Sequence, residues 1–473
     1  MVQIGLPETL VRRVRDRPDY GGVMQRLVFP KDFEWGVATA SYQVEGAVDE
    51  GGRGECIWDT FSRKPGAVYA GENGAVACDQ YHRYADDIAL IKELGFGSYR
   101  FSIAWPRIIP AGTGKVNREG IAYYRRLCEE LRRQGISTCA TIYHWDLPQP
   151  LEDAGGWADR SIVGAFEEYA RVCFGELGDL VDRWITINEP LCIAYLGYLH
   201  GVHAPGHRDR KKAMNAVHHV NMAHGVAVKA YRETGLAAPI GIVWNPTTPR
   251  PATARPQDRK AADTARALET EVFMFPCLGK GYPKAALEHI ENAVAMEKGD
   301  LETIAQPIDF IGVNYYSESP VAFDEKAEFG FRFEPLWQGK TDMGWPVTPG
   351  GLERQLRWIA EVSADAFGGA GDIPIYVTEN GCAYRDEVGA DGRVHDVERI
   401  EYFKQHLAVC ADLARSGLNL RGYYAWSLLD NFEWAYGYTK RFGIIHVDYR
   451  TQKRTPKDSA YFLRDVIAGF GEW

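Results

Sequence analysis

The sequence of 473 residues contains no apolar run of about 18 residues, the length that a membrane-spanning helix needs. Its first 27 residues lack the apolar segment of a secretory signal. Basic residues are fewer than acidic ones: the chain has 54 Lys and Arg and 64 Asp and Glu, which gives a net charge of −10. Nucleic acids and anionic membranes bind basic surfaces, so this balance argues against both as partners. We expect a cytoplasmic protein in which an N-terminal extension, residues 1–27, precedes a catalytic domain over residues 28–473.

No Cys-x-x-Cys pair occurs among the nine cysteines, and their number is odd. Closely spaced pairs are typical of zinc sites and even numbers of disulfide frameworks, so the pattern favours reduced thiols. Two loose groups of histidines, at 200, 203 and 207 and at 218, 219 and 224, keep a metal site open as an alternative. Neither group has the His-Glu-x-x-His pattern. We expect no metal and no cofactor.

Eight short runs of apolar and β-branched residues recur along the chain and alternate with patterns of helical period. We predict strands at 33–41, 98–103, 137–143, 183–188, 240–245, 310–316, 375–379 and 422–427. We predict helices at 81–94, 121–134, 161–174, 214–234, 351–362 and 397–416, several of them ending at a glycine. This alternation is typical of a parallel (β/α)₈ TIM barrel in the α/β class.

An open, doubly wound sheet is the alternative fold. It would have a glycine-rich phosphate-binding turn directly after the first strand, whereas the glycines at 51, 52 and 54 lie further on and open no helical pattern. No Pro/Ser-rich linker, charge block or internal repeat divides the chain. We therefore predict a single barrel domain with long loops at the carboxyl ends of its strands, notably at 317–350.

Two of the predicted strands end at a glutamate. Glu189 is followed by Pro190, which cannot donate to a further strand ladder, and Glu379 is followed by Asn380 and Gly381. Either acid alone could be a solvated turn residue. Two carboxylates that face each other across a pocket are what hydrolysis of a glycosidic bond requires. One of them attacks the sugar or activates water, and the other protonates the leaving oxygen.

Polar and aromatic side chains lie at the other predicted strand ends, which share one rim in a barrel. They are Gln43, Arg100, Trp105, His144, Trp145, Asn188, Asn245, Asn314, Tyr316, Trp426, Glu433 and Trp434. Amides and imidazoles bind hydroxyl groups, and indole rings offer a flat apolar face to a pyranose. Individually, several of these could be core or turn residues. Together they predict a sugar-binding site.

Several segments carry a resemblance to a known family: FEWGVATASYQVEG, YRFSIAWPRI, TIYHWDLPQ, TINEP, GVNYYS, VTENG and WSLLDNFEWAYGYTKRFG. By these motifs the chain resembles glycoside hydrolase family 1, the β-glucosidase family, from residue 33 nearly to the C-terminus. The resemblance implies a (β/α)₈ barrel and a retaining β-glycosidase that removes terminal β-D-glucosyl residues through a covalent glycosyl-enzyme. It makes Glu189 the acid/base and Glu379 the nucleophile.

The resemblance also assigns the other site residues. The implied glycone contacts are Gln43, His144, Asn188, Trp426, Glu433 and Trp434, and the residues implied around the nucleophile are Arg100, Asn314 and Tyr316. Glu433 implies unphosphorylated glycosides, because relatives that take 6-phosphorylated sugars typically lack this acid. Glu189 implies O-glycosides, because the thioglucosidases of the family have Gln there.

The aglycone side departs from the family pattern. Leu191 stands where most relatives have a Trp beside the leaving group, and the segment around Trp345 also differs slightly. We assign Leu191, Asn245 and Trp345 to this side. The expected substrates are β-glucosides or cello-oligosaccharides, with some activity on β-galactosides or β-fucosides. Homo-oligomerisation stays open.

Two other classes of function compete with this one. A catalytically silent sugar-binding barrel would keep the pocket without turnover, and the presence of both acids argues against it. A metal-dependent hydrolase would lose activity to a chelator. Retention would separate the carboxyl groups by about 5–5.5 Å and inversion by about 6.5–9.5 Å, and only the family resemblance chooses retention.

Overall fold

A computed structural model describes residues 27–336, 339–364, 366 and 373–469, and in it eight parallel strands close into a barrel. The strands, β1 to β8 in chain order, are Glu34–Ala38, Ser98–Ser102, Ser137–Tyr143, Arg183–Asn188, Ile240–Trp244, Phe310–Asn314, Ile375–Asn380 and Leu420–Trp426. Neighbours in sequence are neighbours in the barrel, and β1 closes onto β8 with Ala38 opposite Trp426. The predicted fold is confirmed.

Helices follow the strands and surround the barrel. The longer α-helices are Gln80–Glu93, Arg118–Gln134, Ser161–Leu177, Arg210–Glu233, Pro256–Arg266, Pro349–Ala364, Val397–Arg415 and Asp458–Ile467. The shorter ones are Ser41–Val44, Ile57–Ser62, Trp105–Ile108, Gln149–Asp153, Val272–Cys277, Lys284–Glu291 and Asp300–Ile304. Single-turn 3₁₀ segments lie at Tyr69–Gly71, Gly156–Ala158 and Trp434–Tyr436, and π-helical segments at Cys192–Leu199 and Ala267–Glu271. No helix in the described ranges has the length and hydrophobicity needed to cross a membrane.

The helix Arg118–Gln134 illustrates why the sequence pattern predicts these elements. Its N-cap, Asn117, accepts a hydrogen bond from the Glu119 N–H through its side chain. Ile121 and Leu131 belong to its buried face, and Gly135 ends it in the left-handed conformation with φ 71°. Capping, apolar spacing and the terminal glycine therefore agree on one helix.

The interior of the barrel is crowded around β1. A Cβ atom on Gly36 would lie 2.2 Å from the ring of Tyr424, so no larger residue fits at this position. Ala38 and Ala40 pack in the same interior cluster with Phe310 and Tyr424. Small residues on β1 thus leave room in the interior for large side chains from other strands, Tyr424 on the neighbouring β8 and Phe310 on β6.

Three short elements differ from the sequence prediction. The first strand ends at Ala38, and the residues Ser41–Val44 form a helical turn instead of continuing it. A hairpin of Val321–Phe323 and Phe331–Phe333 lies inside the predicted loop 317–350, and a second hairpin, Ile445–Asp448 with Lys453–Pro456, follows β8. Strands of three or four residues are too short for a periodic pattern to show. The extension predicted at 1–27 lies outside the described residues except for Leu27.

Candidate active site

A cavity of about 410 Å³ is lined by residues that follow the carboxyl ends of the barrel strands. Most of the predicted site residues line it: His144, Glu189, Leu191, Asn245, Asn314, Tyr316, Trp345, Glu379, Trp426, Glu433 and Trp434. Gln43, Arg100 and Asn188 are buried behind the wall and hydrogen-bond to residues that line it. The structure therefore brings the residues of the proposed sugar site, with the exception of Trp105, to one place.

Glu379 lies near the end of β7 and is held at both oxygens. Its Oε1 accepts a hydrogen bond of 2.6 Å from Arg100 Nη1, and its Oε2 accepts one of 2.6 Å from the Tyr316 hydroxyl. Arg100 is 1% exposed and also donates to the carbonyl of Thr378. A guanidinium and a phenol that donate to opposite oxygens fix the orientation of the carboxylate.

Glu189 follows β4 and is also buried, with 6% of its surface exposed. Its Oε1 accepts from Asn314 Nδ2 at 2.6 Å, and its Oε2 lies 3.0 Å from Cys192 Sγ. Burial, and after it the negative charge of Glu379, raise the pKa of Glu189 to about 7, although the hydrogen bonds from Asn314 and Cys192 oppose the rise. Near neutral pH this carboxyl group can therefore act as an acid or as a base.

A hydrogen-bond network joins the two glutamates. Arg100 Nη2 donates to Asn188 Oδ1 at 2.7 Å, and Asn314 Nδ2 donates to the same oxygen at 3.0 Å. Arg100 contacts Glu379 and Asn314 contacts Glu189, so the network runs from one acid to the other through side chains on four strands. Because strands of a closed barrel are rigid, the spacing of the two carboxyl groups is set by the fold.

The polar end of the cavity, near His144 and Glu433, includes buried groups that lack a hydrogen-bond partner among the described residues. Gln43 Nε2 donates to Asn431 Oδ1 at 3.1 Å and weakly to Glu433 Oε2 at 3.4 Å. Gln43 Oε1 and His144 Nδ1 are buried and have no hydrogen-bond partner among the described residues. Unpaired buried groups cost free energy, and the hydroxyl groups of a bound sugar would pair them.

Burial changes the protonation of two residues at this polar end. Burial and the charges of Glu379 and Glu189 raise the pKa of Glu433 to about 8. Burial and the nearby Arg100 lower the pKa of His144 well below its ordinary value. The imidazole is therefore neutral, with one nitrogen that donates and one that accepts.

Aromatic rings form the wall of the cavity. The rings of Trp145 and Trp434 lie 4.7 Å apart, and those of His144 and Trp426 are nearly parallel at 6.1 Å. Trp145, Glu189 and Trp434 have positive φ angles of 79°, 47° and 49°. Such left-handed geometry costs on the order of 1–3 kcal/mol for each non-glycine residue. Three strained residues at one cavity are typical of a functional site.

A family profile described as Glycosyl hydrolase family 1 matches residues 25–471. The chain belongs to this family. Beta-glucosidase A of Acetivibrio thermocellus is 44% identical over 459 residues, which cover 95% of this chain and 100% of that protein. Beta-glucosidase A of Thermotoga maritima is 46% identical over 445 residues, 94% of this chain and 98% of that protein. The solved structure of the family 1 β-glucosidase from Thermotoga maritima has a TM-score of 0.91 at 45% identity and covers 94% of this chain and 100% of that one. The predicted family is confirmed, and the chain is a glycoside hydrolase.

One residue predicted at the rim of this family 1 barrel does not reach the cavity. Trp105 is fully buried, its ring is stacked on Tyr169 at 4.7 Å, and its Nε1 donates to the carbonyl of Gly112. It begins the short helix Trp105–Ile108, which directs the ring against the outer helix Ser161–Leu177. The prediction of a sugar contact for Trp105 was wrong, because a residue beyond a strand end can turn back into the core.

His203 and Cys192 are among the lining residues of the family 1 cavity that were not predicted from the sequence. The His203 ring lies 5.3 Å from Trp58 and 5.5 Å from Trp145, and it lines the cavity. His203 was grouped with His200 and His207 as a possible metal site. Cys192 was noted only as a thiol, although it lies three residues after Glu189 in the sequence and the structure puts the two side chains in contact.

Two other histidines of these groups bind carboxylate side chains. His207 Nε2 lies 2.7 Å from Glu152 Oε1, and His218 Nε2 lies 3.0 Å from Asp300 Oδ2. In the part of the family 1 barrel that the structure describes, no group of three His, Cys, Asp or Glu side chains is arranged to hold a metal ion.

Proposed function

We propose that this chain is a retaining β-glucosidase that removes terminal β-D-glucosyl residues from unphosphorylated O-glycosides. The observation that carries the proposal is the pair of buried glutamates in one cavity. The Glu379 carboxylate is held by Arg100 and Tyr316, and the pKa of Glu189 is raised to about 7. One group thus suits a nucleophile and the other an acid/base.

In the first half-reaction Glu379 is the nucleophile. One of its oxygens attacks the anomeric carbon, and the bond from that carbon to the glycosidic oxygen breaks. Glu189 in its acid form donates its proton to the departing oxygen, so that the aglycone leaves as a neutral alcohol. The products are a glycosyl ester on Glu379 and an ionised Glu189.

In the second half-reaction Glu189 is the base. It takes a proton from water while the water oxygen attacks the anomeric carbon, and Glu379 is released as a carboxylate. Ester formation removes the negative charge that helps to raise the pKa of Glu189 in the free enzyme. The pKa therefore falls at the stage where a base is required.

Substrate class follows from the polar end of the cavity. Gln43 Oε1 and His144 Nδ1, which are buried without a hydrogen-bond partner among the described residues, support a ligand with hydroxyl groups, and an ionised Glu433 would disfavour a phosphate at the distal end of the sugar. We infer β-glucosides and cello-oligosaccharides as substrates, with weaker activity on β-galactosides and β-fucosides. Two relatives named Beta-glucosidase A support this assignment. A cytoplasmic location stays a prediction, and homo-oligomerisation stays open.

The test replaces Glu379 by Ala. The variant should lose nearly all turnover of a nitrophenyl β-glucoside, because no nucleophile is left. Added azide should restore release of nitrophenol and give the α-glycosyl azide, since azide attacks from the face that Glu379 occupied. A β-glycosyl azide would mean that the two acids have the opposite roles.

The same assay separates the competing functions. A sugar-binding barrel without activity would bind glucose saturably and release no nitrophenol from the intact protein. A metal-dependent hydrolase would lose activity on dialysis against a chelator. We expect turnover that survives the chelator.

A further inference from the structure

A thiol lies directly beside the acid/base. Cys192 Sγ is 3.0 Å from Glu189 Oε2, and the Cys192 N–H donates to the Glu189 carbonyl at 3.0 Å. Cys192 is 8% exposed and lines the cavity. It opens the π-helical segment Cys192–Leu199. π-helical turns occur frequently at functional sites.

The hydrogen of this thiol has a defined direction. A cysteine has one S–H donor, and its sulfur is a weak acceptor. Asn245 Nδ2 donates to the sulfur at 3.5 Å, so the S–H is left to point to its other polar neighbour, Glu189 Oε2. Burial and the charges of Glu189 and Glu379 raise the pKa of the Cys192 thiol well above its ordinary value. The thiol therefore stays protonated and remains a donor.

The two oxygens of Glu189 have different kinds of partner. The Asn314 amide donates to Oε1, and an amide N–H cannot become an acceptor. A thiol at Oε2 can donate to an ionised oxygen, and its sulfur can accept weakly once the oxygen is protonated. The proton of the acid form is therefore better accommodated at Oε2, beside Cys192.

We propose that Cys192 is a positioning residue of the acid/base, whose thiol orients Glu189 Oε2 and stabilises the carboxylate form that deglycosylation requires. The proposal rests on the proposed role of Glu189. Asn245, assigned to the aglycone side by the sequence, then has a second role, because its amide directs the thiol.

Removal of the thiol has an effect of defined sign. A hydrogen bond to the charged form lowers a pKa, so its loss raises the pKa of Glu189. Glycosylation needs Glu189 protonated, and the basic limb of the kcat/KM profile should therefore move to higher pH, by on the order of half a unit. Deglycosylation needs it ionised. With a dinitrophenyl β-glucoside, for which deglycosylation limits kcat, the acid limb of kcat should move up as well.

The experiment compares pH profiles of four variants with the unmodified enzyme. Cys192→Ala removes the donor, Cys192→Val removes it and keeps the cavity filled, and Cys192→Ser keeps a donor. Cys410→Ala is the control, because Cys410 is a fully buried thiol on the helix Val397–Arg415 and does not line the cavity. We expect Ala and Val at position 192 to move both limbs upward. The Cys192→Ser and Cys410→Ala variants should keep the original limbs.

Unchanged limbs in both Cys192→Ala and Cys192→Val, with only KM altered, would overturn the proposal and leave Cys192 as a lining residue. A shift in Cys192→Ser equal to that of Cys192→Ala would overturn it too, since the donor would then be irrelevant. Glu189→Gln distinguishes this failure from failure of the proposed function. If Glu189→Gln hydrolyses an alkyl β-glucoside normally, Glu189 is not the acid/base and both proposals fail.

Discussion

In the proposed mechanism Glu189 changes its protonation state twice in each turnover, and its neighbours act on its pKa in opposite directions. Burial is the largest cause of the rise, and the negative charge of Glu379 is the second. Formation of the glycosyl ester removes the charge but leaves the burial, so only part of the rise should disappear during catalysis.

These two causes predict different pKa values of Glu189 in two states of the enzyme. In the free enzyme its pKa should lie near 7, and in enzyme trapped on Glu379 by a slow fluorosugar it should be lower. It should nevertheless stay above the ~4.3 of a free glutamate, because the carboxyl group remains buried. NMR of isotope-labelled Glu189 measures both values. Glu379→Gln is the control that removes the charge without a sugar, and equal pKa values in the free and trapped states would contradict the acid/base role.

Leu191 lines the cavity on the side of Asn245, as the sequence analysis expected. A Trp at this position would add a flat aromatic face. Aromatic contacts contribute about 0.5–1.5 kcal/mol, so Leu191→Trp should lower KM for aryl β-glucosides by about 2- to 10-fold. Kinetics with nitrophenyl and alkyl β-glucosides of the same glycone provide the check. An equal decrease in KM for both would mean that the ring acts on the sugar and not on the aglycone.

The segment after β8, residues 427–443, carries Glu433 and is anchored by one buried carboxylate. Asp430 accepts from Lys457 Nζ and from Arg441 Nη1, each at 2.7 Å, and from the Gly443 N–H at 3.0 Å. Burial raises the pKa of Asp430, but the two cations outweigh it, and the pKa is lowered. The stability from this anchor is present above the ordinary pKa of an aspartate and is lost as pH falls through the folded pKa.

Asp430→Ala tests whether this anchor positions Glu433. It leaves the fully buried Lys457 ammonium without this partner, and breaking a buried ion pair costs about 3–5 kcal/mol. We expect a lower midpoint of thermal unfolding together with a higher KM for β-glucosides, since Glu433 would shift. Asp412→Ala, which breaks an exposed ion pair with Arg415, is the control and should cost at most about 1 kcal/mol. Destabilisation without any change in KM would show that the anchor serves only the fold.

The strands could be predicted because each is a short run of apolar and β-branched residues, and six of the eight longer helices because each has a pattern of helical period over several turns. Ser137–Tyr143 and Arg183–Asn188 have the predicted bounds. The hairpin strand Val321–Phe323 is only three residues long and has no such pattern. Trp105 turns inward on a helix of four residues. The orientation of Cys192 towards Glu189 depends on the local π-helical turn, which strand and helix periodicity does not specify.

Net charge and local charge act on substrates over different distances. The chain carries −10 overall, and a neutral glycoside is insensitive to that field. A 6-phosphorylated glycoside would be repelled at long range by the whole molecule and at short range by Glu433 once this group is ionised, above its raised pKa of about 8. Long-range repulsion is screened by salt over a Debye length of about 10 Å at 0.1 M, whereas a contact inside the cavity is screened much less.

Changes in pH and in salt concentration separate the short-range repulsion of a phosphorylated substrate by Glu433 from the long-range repulsion by the net charge. Because the pKa of Glu433 is raised to about 8, the enzyme should discriminate more strongly against a 6-phosphorylated β-glucoside as pH rises through this value and Glu433 ionises. The measured quantity is the ratio of kcat/KM for the neutral and phosphorylated nitrophenyl β-glucosides, in which the protonation of Glu189 cancels because both substrates require it. Added salt should lower this ratio at every pH. In Glu433→Ser the ratio should no longer rise as pH passes through 8, but it should still fall when salt is added. A pH-dependent rise that survives in Glu433→Ser would assign the discrimination to another residue.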